Sequence, residues 1–189
     1  MTAVRPQAIV IGASAGALEA LSVILPSLPG DFHAPIIIVV HIPPDKRSVL
    51  AELFQAKCRI RVVEVEDKEP LRPATAYFAP PDYHLLVEST ESLGLTSEEP
   101  VLYSRPSIDV LFESAADIYG PDVTAILLTG ANQDGAKGLA AIAQAGGQVI
   151  VQDPETAFAA AMPEAGLKLC PDAKVLPLDG IAEYLRRIG

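Results

Sequence analysis

Apolar positions along the chain keep two alternating rhythms. "AIVIG" (Ala8 to Gly12) and "PIIIVVH" (Pro35 to His41) are short, continuous, β-branched runs with no polar face. Such runs suit strands covered on both sides. Between them, "ALEALSVILPSLP" carries apolar residues at helical spacing and stops at Pro29-Gly30. "DKRSVLAELFQAKC" predicts a second amphipathic helix, with Asp45 placed to cap it, and "RIRVVEVE" a third strand.

The middle changes rhythm. "TAYFAPPDYHLLVESTESLGLTS" is short alternating segments broken by Pro-Pro-Asp and Ser-Thr-Glu-Ser turns, which predicts antiparallel hairpins inserted into the fold. "RPSIDVLFESAADIYG" then opens a helix, with Ser107 as N-cap after Pro106 and Gly120 as its end. The last third returns to strand and helix: "VTAILLTG", "DGAKGLAAIAQAGG", "QVIVQD", "MPEAGLKL" and "IAEYLRRI". Strand-helix alternation with one excursion predicts an α/β fold: a doubly wound, mostly parallel sheet with an antiparallel hairpin insertion. No repeat or linker divides the chain, so residues 1–189 are expected to form one domain.

Composition narrows the function classes. Half the residues are hydrophobic and a fifth charged, which argues against disorder. A formal net charge of -10 argues against nucleic-acid binding, which needs clustered Lys and Arg, and against docking on an anionic membrane. No apolar run approaches the roughly 20 residues of a membrane span, and the N-terminus lacks a signal-peptide pattern. A cytoplasmic location is the expectation. Cys58 and Cys170 are isolated and expected as reduced, mostly buried thiols. No residues have metal-ligand spacing, and no cofactor is expected.

In doubly wound sheets, sites form beyond the carboxyl ends of the strands. Ser14 follows the first strand, His41 ends the second, and Asp134 follows "AILLTG". They are a nucleophile, a base and an acid at one predicted edge. Gly12-Ala13-Ser14-Ala15-Gly16 has the G-x-S-x-G spacing of a nucleophile elbow, and free N–H groups near Ala15 and Gly16 could receive an oxyanion. The same turn resembles a dinucleotide phosphate loop, but Ser14 and Ala17 stand where the second and third glycines belong. Asp31, at the spacing of a ribose-binding acid, lies in a turn before the second strand. None of the five tyrosines has a lysine four residues on, as a short-chain dehydrogenase would require.

Each member of the trio also has a plainer reading. A serine before a helix is commonly an N-cap, a strand-end histidine is often a satisfied structural residue, and Asp-Gly before a helix is often a cap and turn. Their joint placement favours the triad. The order Ser, His, Asp differs from the Ser, Asp or Glu, His order of α/β-hydrolases.

Longer motifs sharpen this reading. "IGASAGALEAL" resembles the IGASTGG-x-EAL turn of the CheB-type chemoreceptor methylesterase family, "VVHIPP" its QHMPP segment, and "YFAPPDYHLLV" its YIAPGDxH strand pair. "RPSIDVLF" matches RPSVDVLF, "ILLTGANQDGAKGL" resembles ILTGMGxDGAxG, and "QAGGQVIVQDPETAFAAAMPEAGL" resembles the closing segment. The resemblance implies Ser14 as nucleophile, His41 as general base then acid, and Asp134 as orienting carboxylate. It implies hydrolysis of glutamate methyl esters on the cytoplasmic helices of methyl-accepting chemoreceptors, releasing methanol, and extends to glutamine deamidation. Two departures stand out: Ala17 replaces the family's second glycine after the serine, and Gly130-Ala131-Asn132 replaces its Gly-Met-Gly. The family's methionine lies beside the catalytic centre, so Ala131 is placed in the pocket or its oxyanion contacts. These changes motivate the alternative of a catalytically weak, esterase-like module that binds receptors in signalling.

Family members usually carry an N-terminal receiver domain. Its absence here leads to the expectation of a free-standing or cut-down esterase, or of control by a separate receiver or kinase. His84, close to Asp82, is expected to be structural or at the rim. His33 is expected to be solvated. Arg105 is expected to pair with a carboxylate or to line the substrate path.

Overall fold

The computed structural model describes residues 5–43 and 48–189. Asp45, the expected cap of the second helix, lies outside the described residues. The elements follow the chain as β1 (Ala8–Ala13), α1 (Ala17–Ile24), β2 (Ile36–Val40), α2 (Leu50–Gln55), β3 (Arg61–Glu64), β4 (Thr75–Phe78), β5 (His84–Ser89) and β6 (Ser92–Thr96). They continue as α3 (Ile108–Tyr119), β7 (Val123–Leu127), α4 (Ala136–Gln144), β8 (Gln148–Gln152), α5 (Ala161–Leu169), β9 (Lys174–Leu176) and α6 (Leu178–Ile188).

Seven strands form one sheet in the order β3-β4-β2-β1-β7-β8-β9, and every pairing in it is parallel. The alternating faces of the strands separate two cores. Val10, Ile37, Val39, Ala125 and Leu127 face one cluster with Ile108, Leu111 and Phe112 of α3, Leu139 of α4 and Leu85 of the hairpin. Ile9, Ile11, Ile36, Ile38 and Ile126 face the other, with Leu21 and Ile24 of α1, Phe54 of α2 and Leu185 of α6. Both faces are covered, which explains why the central strands read as unbroken apolar runs.

One expectation needs correction. Thr75–Phe78 is not part of an antiparallel excursion. It is β4, paired in parallel with β2 from Ile36↔Ala76 to Ile38↔Phe78 and with β3 on its other side. All four of its residues are buried, so it has no solvent face to alternate with. The antiparallel insertion is a single hairpin, β5 with β6, in its own two-stranded sheet. Helix α1 is also shorter than the apolar spacing suggests: it ends at Ile24 and Leu25–Ser27 tightens into a 3₁₀ turn at Pro26. Among the described residues, no helix is long and apolar enough to cross a membrane.

Chain direction places the site. From β1 the chain steps to β2 on one side, and it later returns to β7 on the other. The carboxyl ends of β1, β2 and β7 therefore surround the switch point where such sheets bind ligands.

Candidate active site

Strands β1 and β2 end level with one another, because Ala13 and Val40 are register partners. Ser14 and His41 leave those two strands side by side, and the His41 N–H donates to the Ala13 carbonyl at 3.2 Å. Both residues line one open cavity of about 520 Å³ with Gly16, Leu18, Val49 and Phe158.

Two glycines shape the turn that carries Ser14. Gly16, the N-cap of α1, has φ 87°, in the left-handed region that side chains disfavour. Gly12 faces Ile108, and a Cβ at Gly12 would collide with the Ile108 side chain. Its bare backbone lets the first turn of α3 settle onto the end of β1. Thr129, buried just past β7, pins the turn from below. The Ser14 N–H donates to its carbonyl at 2.9 Å, and its Oγ1 donates to the Ala15 carbonyl at 2.8 Å. The same Oγ1 accepts from the Ala159 N–H at 2.9 Å, tying the Phe158 loop to the turn. Among the described residues, the Ala15 and Gly16 N–H groups have no hydrogen-bond acceptor. They open at the positive end of α1.

Asp134 is 0% exposed, so its charge needs full compensation. Oδ2 accepts from His41 Nε2 at 2.7 Å and from the Ile108 N–H at 2.7 Å. Oδ1 accepts from Ser107 Oγ at 2.9 Å and from the Asp109 N–H at 3.0 Å. The carboxylate thus occupies the N-terminus of α3, where free N–H groups and the helix dipole favour an anion. Burial alone pushes its carboxyl up. The His41 hydrogen bond, the Asp109 and Ile108 N–H groups and the charge at His41 outweigh burial and hold it below the ordinary aspartate value.

With a carboxylate accepting at Nε2, the imidazole proton sits there and Nδ1 keeps its lone pair. Nδ1 is then the nitrogen able to accept a proton. The Asn132 amide lies 3.4 Å from it, while Asn132 Oδ1 accepts from the Asp134 N–H at 3.0 Å. Asn132 was read in the sequence only as a departure, yet it contacts both His41 and Asp134. Among the described residues, no hydrogen bond joins Ser14 Oγ to His41. Catalytic contacts of this kind are often open before substrate enters.

The other expected residues fall as follows. Ala131 is exposed and lies outside the lining of the Ser14 cavity. The segment turns there so that Asn132, two residues before Asp134, faces inward. His84 is buried: its Nδ1 accepts from the Ser107 N–H at 3.1 Å and its Nε2 donates to the Glu99 carbonyl at 2.9 Å. It supports the N-cap that holds Asp134. Arg105 pairs with Asp82 at 2.6 Å, and both line a second cavity of about 330 Å³ that shares His41 with the first. His33 is not fully solvated. It is half-buried, with Nε2 on the Pro6 carbonyl at 2.9 Å and Nδ1 buried without a partner. Cys170 is buried, Cys58 half-buried, and neither forms a disulfide. Among the described residues, no group of three or more His, Cys, Asp or Glu could hold a metal ion.

Comparison with known proteins adds an independent line. A family model described as CheB methylesterase matches residues 9–185. A putative protein-glutamate methylesterase/protein-glutamine glutaminase of Leptospira interrogans is 43% identical over 182 residues, covering 96% of this chain and 94% of that protein. A protein-glutamate methylesterase/protein-glutamine glutaminase of a Nocardioides species is 42% identical over 186 residues, and there the match spans 50% of the relative. The crystal structure of the Thermotoga maritima CheB methylesterase catalytic domain superposes with a TM-score of 0.92 at 34% identity, covering 97% of this chain and 99% of that one.

Proposed function

Because the chain belongs to the CheB methylesterase family, we propose that it is a protein-glutamate methylesterase, a serine hydrolase working through Ser14, His41 and Asp134. The observation that carries this reading is the 2.7 Å contact between His41 Nε2 and a fully buried Asp134, at strand ends beside Ser14. The substrate is a γ-glutamyl methyl ester on the cytoplasmic helices of a chemoreceptor, which places the protein in the cytoplasm.

The chemistry follows from the geometry. Ser14 Oγ attacks the ester carbonyl carbon while His41 Nδ1 takes its proton. The carbonyl oxygen, now negative, is received by the Ala15 and Gly16 N–H groups. Asp134 holds the imidazolium through Nε2. Collapse breaks the carbon-methoxy bond, and the proton on Nδ1 leaves with methanol. Water deprotonated by Nδ1 then cleaves the Ser14 ester, releasing glutamate and restoring Ser14. With a glutamine side chain, the same steps expel ammonia.

The side-chain amide of Asn132 beside Nδ1 favours one second reading, a receptor-binding module whose base is occupied and whose turnover is slow. A fluorophosphonate separates the two. Stoichiometric labelling at Ser14, absent in Ser14→Ala and reduced in His41→Ala, supports the esterase. An unlabelled native protein would favour the module. We propose residues 1–189 as one methylesterase domain.

A further inference from the structure

Asp109 belongs to the "RPSID" motif, but the chemistry above leaves its side chain without a role. It is 4% exposed. Its N–H donates to Asp134 Oδ1 at 3.0 Å. Its own Oδ1 accepts from the Gly135 N–H at 2.9 Å and the Gly138 N–H at 2.7 Å, the free donors at the start of α4. The arrangement is reciprocal. Asp134, just before α4, caps α3, while Asp109, in the first turn of α3, caps α4. Each carboxylate sits where the other helix presents its positive end.

We infer that Asp109 is a positioning residue for the proposed reaction: by clamping the start of α4 onto the start of α3, it fixes the backbone from which Asp134 reaches His41. The clamp acts at two ends of one short segment. Asn132 Oδ1 holds the Asp134 N–H, and Asp109 holds the Gly135 N–H. Asp134 therefore has little freedom to rotate away from Nε2.

The clamp also carries charge. The groups facing Asp109 are Asp134, Glu113 on its own helix, and Lys137 of α4 and Lys168 of α5, which share a cavity wall with it. His84 approaches through Ser107, and His41 through Asp134. Burial pushes the Asp109 carboxyl up to about 6; the Gly138 N–H opposes this and the charge of Asp134 adds to it. Near and above that pH, an ionised Asp109 adds negative potential behind the Asp134–His41 pair and favours the imidazolium.

The inference rests on the esterase reading, and one experiment distinguishes failure of either. The rate of fluorophosphonate labelling at Ser14 is followed from pH 5 to 9 in the full chain, with folding checked by thermal melting. Labelling needs no receptor. The native protein is expected to lose rate toward low pH. Asp109→Asn keeps an acceptor for Gly135 and Gly138 but removes the charge, so its acid limb is expected to move to lower pH by roughly half a unit. Asp109→Ala also removes the acceptor, and its rate at the plateau is expected to fall about tenfold or more. A merely structural aspartate would leave the acid limb unmoved in a folded Asp109→Asn, and that result overturns the inference. An unlabelled native protein overturns the esterase reading and the inference with it.

Discussion

Asp134 shows how much one buried residue can be asked to do. Four donors converge on its two oxygens. An asparagine there keeps one acceptor oxygen and turns its amide against at least two of those donors. Asp134→Asn is therefore expected to cost about 2–4 kcal/mol of stability, read by denaturant unfolding. It should slow turnover by on the order of 10³-fold, because the histidine loses both its proton placement and its counter-charge. The two neighbouring aspartates act oppositely with pH. Asp134 lies below its unfolded value, so the stability it adds is present above about pH 4 and is lost as pH falls through its folded value. Asp109 lies above its unfolded value, at about 6, so the native state holds the extra proton between about pH 4 and 6. Stability from that group is present below this window and declines as pH rises through it. The melting temperature of Asp109→Asn relative to the native protein is expected to rise between pH 4 and 7. At this scale Ser14 and His41 stood out in the sequence because each directly follows an apolar run, and Asp134 because it comes shortly after "AILLTG". The roles of Asn132, Thr129 and Asp109 were not legible, because His41, the turn after Ala13 and the start of α4 reach them only in the fold. The trace they left was that all three fall inside recognisable motifs, Asn132 as a departure from one. Ala131, expected at the pocket from its place in the motif, is exposed and is not among the residues lining the Ser14 cavity.

Elements succeed or fail as predictions according to how their faces are covered. β1, β2 and β7 are buried on both sides and read clearly as continuous apolar runs. β4 was misassigned because it lies between Pro73 and Pro80-Pro81, and those turn residues made a fully buried sheet strand look like one arm of a hairpin. β9 spans three residues at the sheet edge, too few for any periodicity to show. The glycine turn after β1 was legible, but the reason for Gly12 was not. The reason is Ile108, on a helix some hundred residues later in sequence. Gly12→Ala should push α3 away from β1, costing about 1–3 kcal/mol and lowering activity because the Ile108 N–H is part of the Asp134 cradle. Ile108→Ala removes most of the colliding side chain, so the double variant is expected to lose less than the sum of the singles in a double-mutant cycle. Strict additivity would show that the two residues do not press on one another.

The whole molecule combines a strongly acidic surface with an apolar rim around Ser14. Phe158 is 77% exposed, Val49 55% and Leu18 47%, and all three line the Ser14 cavity. The second cavity continues past His41 toward Arg105 and the fully exposed Tyr103. A substrate helix laid across both would meet apolar side chains on one arm and polar ones on the other. Phe158→Ala is expected to raise KM for a methylated receptor by about threefold to tenfold with little change in kcat, since it removes contact area and no reacting group. Its labelling by a small phosphonate should match the native protein. The acidic balance was legible from composition. The rim was not, because its members come from α1, the approach to α2 and the loop before α5 and meet only in the fold.

The central claim is that Ser14, prompted by His41 and Asp134, cleaves glutamate methyl esters. Methanol released from a methylated chemoreceptor fragment, compared between the native protein and Ser14→Ala, tests it most directly. The expected result is steady release by the native protein and none above background from Ser14→Ala. Equal release from both, or none from the native protein where a reference methylesterase works on the same fragment, would contradict it.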